Sequence, residues 1–85
     1  MNYLETIKTV CPQAESYQFL TVCMDKDSEH YGAMYESKEE ALADGVKEVA
    51  CQLDIFDADG EYIDGAIDTD EASVVEFFVK LKKGE

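Results

Sequence analysis

The chain alternates between two hydrophobic periods, one near four residues and one of two. Near the N-terminus, Leu4, Ile7 and Val10 or Cys11 recur every three to four residues. Asn2 supplies a cap, Pro12 a stop, and the segment reads as a short helix. From Ser16 to Asp25 the period becomes two, with Tyr17, Phe19, Thr21 and Cys23 alternating with Gln18, Leu20, Val22 and Met24. Both sets are largely apolar, which predicts a central strand. After the polar turn Asp25-Lys26-Asp27-Ser28-Glu29, the alternation of Tyr31, Ala33 and Tyr35 across His30 to Glu36 predicts the second arm of a hairpin.

Ser37-Lys38-Glu39-Glu40 has the form of a capping box. Behind it Leu42, Val46, Val49 and Leu53 fall at i, i+4, i+7 and i+11, a stripe that predicts a helix from Ser37 into Leu53. Gly45 inside that helix would cost up to about 1 kcal/mol relative to alanine, which calls for close packing against a sheet. A second hairpin follows, from Leu53 to Asp68. Asp68-Thr69-Asp70-Glu71 then open a last helix with acids where the macrodipole favours them, and Lys80, Lys82 and Lys83 close it. Its stripe is Val74, Phe77, Phe78 and Leu81, although the β-branched and aromatic content keeps a strand as the competing reading. The order α-ββ-α-ββ-α predicts one α+β domain over residues 1–85. Its four-stranded, mostly antiparallel sheet is covered on one face by helices.

Charge narrows the partners. The 85 residues hold 20 Asp+Glu against 7 Lys+Arg, a net charge of −13. A hydrophobic fraction of 46%, with Tyr 5 and Phe 4, is too high for an acidic disordered tail. Every base is a lysine (8, 26, 38, 47, 80, 82 and 83), so no arginine fork is available for phosphates or guanine edges. Direct nucleic-acid binding is excluded as a default. The start, Met1 to Glu5, has no basic or apolar leader, and no apolar run reaches the roughly 20 residues that span a bilayer. The expectation is a cytoplasmic protein with no membrane partner. Cys11, Cys23 and Cys51 are odd in number and lack C-x-x-C spacing, as expected of reduced core residues.

The acids are concentrated. From Glu48 to Val79 there is no base, and six acids fall in the second hairpin: Asp54, Asp57, Asp59, Glu61, Asp64 and Asp68. Asp57-Ala58-Asp59-Gly60 suits a type I turn closed by a left-handed glycine. That register sets Asp57 opposite Glu61, Phe56 opposite Tyr62, Ile55 opposite Ile63, Asp54 opposite Asp64 and Leu53 opposite Gly65. One face is then a core face of Leu53, Ile55, Ile63 and Ile67. The other carries Asp54, Phe56, Tyr62, Asp64, Ala66 and Asp68. Directly opposed aspartates repel on the scale of about 0.2–1 kcal/mol, a cost that a solvated surface would avoid with a lysine. Aromatics rimmed by charge are typical interface anchors. The partner-binding residues predicted are Asp54, Phe56, Asp57, Asp59, Glu61, Tyr62, Asp64 and Asp68. The bland alternative is a solvated strand face with one stabilising aromatic pair.

Other chemistries find less support. With Gly60 as the sixth residue of a calcium loop, Ile55 and Ala66 stand where ligands belong; with Asp57 first, Tyr62 replaces the glycine. Only a loose divalent site near Asp57–Gly60 survives as an alternative. His30 has no cysteine near it in sequence, and no phosphate loop, nucleophile elbow or zinc spacing is present. The expectation is a protein without cofactor, metal or catalytic residues.

Small size, strong acidity and aromatic anchors together resemble, in character, the phage anti-CRISPR and antirestriction proteins, and the immunity proteins that block toxic nucleases. The resemblance lies in charge and size rather than in alignable residues. It implies an inhibitor that offers carboxylates where a cationic nuclease or surveillance complex expects phosphates. The alternatives are an immunity or antitoxin protein and a generic acidic interaction module.

Overall fold

In the computed structural model, which describes residues 2–84, three helices and four strands follow the expected order. They are α1 (Leu4–Lys8), β1 (Ser16–Cys23), β2 (Met34–Tyr35), α2 (Lys38–Ala43), β3 (Val49–Phe56), β4 (Tyr62–Asp68) and α3 (Glu71–Lys83). The strands form one antiparallel sheet in the order β2-β1-β3-β4. β1 is central, as its two-sided apolar pattern requires, and pairs with β3 from Ser16↔Phe56 to Cys23↔Val49.

All three helices lie on one face. Tyr17, Phe19, Cys51, Leu53, Ile55 and Ala66 meet Ile7 and Cys11 with Val74, Val75 and Phe78 of α3, which makes the main core. Tyr3, Tyr17 and Phe19 pack edge to face, with ring centroids 5.4–6.4 Å apart, and seat α1 on the sheet. Farther along the same face Cys23, Tyr35 and Val49 pack with Ala41 and Val46 in a second, smaller cluster under α2. The opposite face, with Gln18, Leu20, Gln52, Asp54, Phe56 and Ile67, has no helix over it. Among the described residues, no helix is long and apolar enough to cross a membrane.

Three elements differ from expectation. α2 does not run on to Leu53; it stops at Ala43, and Gly45 at φ +83° turns the chain out of it. Gly45 is therefore the stop. Positions 49 and 53 are an even number apart, so they share a face in a strand as well as in a helix, and β3 claims both. The serine cap holds, with Ser37 Oγ accepting from the Glu40 N–H at 3.2 Å. Glu40, however, reaches back to the Glu36 N–H, one residue before the cap.

β2 is only two residues long, because its approach from Asp25 closes on itself. Successive N–H groups of Ser28, Tyr31 and Ala33 bond the carbonyls of Asp25, Ser28 and His30 in a chain of turns. α3 is a helix and not a strand: Asp70 caps it, and Gly84 at φ +77° ends it. Its buried face is Val74, Val75 and Phe78, while Phe77 and Leu81 are turned outward. α3 touches both the sheet and α1, and that second contact draws the buried stripe towards Val75.

Candidate protein-binding surface

The second hairpin forms as its turn chemistry dictates. Gly60 is left-handed at φ +79°. The Asp57 N–H bonds the Glu61 carbonyl, and the Gly60 N–H bonds the Asp57 carbonyl, each at 3.0 Å. The Asp57 carboxylate accepts from the N–H groups of Asp59 and Glu61 at 2.9 and 3.0 Å, so it pins the loop. Phe56 stands opposite Tyr62 as expected, their rings 6.4 Å apart at 76°.

Beyond Tyr62 the register departs from expectation. Asp64 pairs with Ile55, Gly65 with Asp54 and Ala66 with Leu53, so Ile63 is an extra residue in a bulge. A one-residue slip turns every later side chain over. Asp64, Ala66 and Asp68 join the helix-covered side, whereas Ile63 and Ile67 are exposed and are not core. Three local fits favour the slip. Ala66 places a small side chain against the core that α3 covers. Asp64 forms an ion pair with Lys82 from the end of α3. Gly65 lets the Tyr62 ring settle on the strand, since a Cβ there would stand 2.9 Å from the Tyr62 hydroxyl. The slip also separates the two aspartates that would have faced each other.

Asp54 is thus not a surface acid. It is 6% exposed and accepts from the Gln18 side-chain amide at 3.1 Å and the Gln52 side-chain amide at 2.8 Å. Two glutamine amides satisfy it in place of a cation. Asp68 accepts from the Thr69 N–H at 2.6 Å, at the entry to α3. The eight predicted positions therefore divide. Phe56, Tyr62, Asp57, Asp59 and Glu61 stay together at the hairpin end, with Tyr62 61% exposed. Asp54, Asp64 and Asp68 leave that group.

The two carboxylates at α3 have a pH signature. Partial burial pushes Asp64 up, but the Lys82 hydrogen bond, the Gly65 N–H and the Lys82 charge outweigh it and hold the group below its usual range. The Ser73 N–H, 2.8 Å away, holds Asp70 low. For both, stabilisation is complete above the ordinary carboxyl range and vanishes as pH falls through the lowered folded value. The Tm gap between the protein and its Asp64→Asn or Asp70→Ala variant should be widest at neutral pH and close below about pH 4. A gap that persists undiminished into strong acid would contradict these contacts.

One feature of the helix-covered side had no sequence signal, because the overlong helix hid it. Between α2 and α3 lies a cleft of about 480 Å³, lined by Phe19, Thr21 and Cys51 and by Glu36, Glu39, Asp70 and Glu71. The Cys51 thiol is pushed up to about 11 by burial and by Glu71 and Asp70. It is a protonated thiol at neutral pH, hence a poor nucleophile and metal ligand. His30 Nε2 lies 3.8 Å from Asp44 and 3.7 Å from Glu29. Among the described residues no three His, Cys, Asp or Glu side chains converge on a point that could hold a metal ion. In comparisons with known proteins, the chain matches no family model, no curated protein and no solved structure.

Proposed function

We propose that the chain is a non-enzymatic binding protein for a cationic partner, one whose basic surface ordinarily receives nucleic acid. A nuclease or surveillance complex blocked in this way is the form the reading takes, as in anti-CRISPR or antirestriction inhibition; immunity to a toxic nuclease would use the same chemistry. The observation that carries it is the Phe56–Tyr62 pair, with Tyr62 exposed and Asp59 and Glu61 beside it. The lysine ion pairs among the described residues are Lys8–Glu15, Lys80–Glu76 and Lys82–Asp64. Of the hairpin acids these pairs engage Asp64 alone; none of them reaches Asp57, Asp59 or Glu61 at the turn.

The test is competition. A protein captured by this chain at low salt should be released by duplex DNA or RNA in proportion to its own nucleic-acid affinity. With that partner, Tyr62→Ala should raise the dissociation rate, a loss of about 2 kcal/mol or more if the ring is an anchor. Asp59→Asn with Glu61→Gln should slow association and flatten its salt dependence. Asp54→Asn should change neither rate, since that carboxylate is buried and held by the Gln18 and Gln52 amides. Capture indifferent to nucleic acid would overturn the mimic reading, and dissociation indifferent to Tyr62 would overturn the surface.

A further inference from the structure

The free edge of β1 lies away from the hairpin, at the other side of the sheet. Cys23 exchanges both main-chain hydrogen bonds with the β2 side, to Ala33 and from Gly32, each at 2.9 Å. Alternation then turns the N–H and C=O of Tyr17 and Phe19 to that same side. β2 does not reach them, because its pairing with β1 covers only Thr21↔Tyr35 and Val22↔Met34 before Ser37 caps α2. Among the described residues, half of the central strand therefore has an unpaired edge, which is a template for an added strand.

The cleft between α2 and α3 opens beside this edge, and Phe19, Leu20 and Thr21 line it. Its acids come from three elements: Glu36 after β2, Glu39 in α2, and Asp70 and Glu71 at the start of α3. Lys38 is the only base among its lining residues. Glu71 and Asp70 add to the upward push that burial already exerts on the Cys51 thiol at the cleft floor. At a net charge of −13, a second copy of this chain would be repelled.

We propose that the β1 edge at Tyr17–Phe19 receives an extended segment of a basic partner, which continues the line of β2 and sets a lysine or arginine in the cleft that Glu36, Glu39, Asp70 and Glu71 line. Main-chain pairing supplies the register and the acidic cleft the choice of side chain. This site stands independently of the Phe56–Tyr62 surface.

The probe is a capped peptide alternating lysine and valine, titrated into the isotopically labelled protein at low salt. Its controls are the glutamate–valine counterpart and a lysine peptide interrupted by prolines. Binding should slow hydrogen exchange at the Tyr17 and Phe19 amides and shift the resonances of Cys51 and Glu71. The glutamate peptide should not bind, and the proline peptide should lose the exchange protection. Glu39→Lys with Glu71→Lys, both exposed positions, should weaken the lysine peptide about ten-fold or more, while Tyr62→Ala leaves its affinity unchanged. Equal binding by the proline peptide would show attraction without strand addition and overturn the proposal. Perturbations confined to the hairpin, or self-association protecting the same amides, would overturn it too.

Discussion

Phe78→Ala is expected to cost about 3–5 kcal/mol of folding free energy, the range for truncating a fully enclosed aromatic. At the usual per-residue stability, a chain of 85 residues has about 4–13 kcal/mol in all. The variant should therefore be largely unfolded or melt far below the parent. Phe78 is 1% exposed and belongs to the core that joins α3 to Ile7, Leu53 and Ile55. Its neighbour in sequence is the control. Phe77 is 39% exposed, and Phe77→Ala should cost less than about 1 kcal/mol, nearer the range of a surface change. Urea denaturation of both variants reads the rotation of α3 directly. Comparable losses would mean that the buried stripe runs through Phe77 after all.

Gly65→Ala should be the most damaging small change outside the core, at about 2–3 kcal/mol or more. The added methyl would stand 2.4 Å from the Leu53 carbonyl oxygen and 2.9 Å from the Tyr62 hydroxyl. The hydroxyl sits at the end of a side chain that can swing away, but the carbonyl belongs to the neighbouring central strand and cannot. Tyr62→Ala in the Gly65→Ala background should therefore recover only part of the loss. Gly60→Ala is a useful contrast. Nothing stands within 4 Å of a methyl there, and the strain comes only from φ +79°, a cost of about 1 kcal/mol. If Gly65→Ala proved neutral in denaturant titrations, the bulged register of the hairpin would be wrong.

That register marks the boundary between local and tertiary control. Turn chemistry is local: Asp57 and Gly60 specify their loop whatever surrounds them, and Phe56 meets Tyr62 as a direct result. Caps are local in the same way, so Ser37 and Asp70 announce α2 and α3 from their own few residues. The two-sided apolar pattern of Ser16–Cys23 likewise required a central strand, and with it the order of layers. All of this was legible in the chain.

What happens beyond Tyr62 was not. Whether Ile63 or Asp64 faces Ile55 depends on the small Ala66 against the core, on Lys82 arriving from the end of α3, and on the space Gly65 leaves for a ring. Those partners are remote in sequence or on another element, and no alternation within β4 can weigh them. The same holds for the stripe from Leu42 to Leu53, which fits a helix and a strand equally until the sheet claims Val49 and Leu53. The sequence by itself determined the order of the elements, the turn of the second hairpin and the acidic excess. Tertiary packing decided which acids share a surface, because a one-residue bulge turns over every later side chain of a strand and its partners come from other elements.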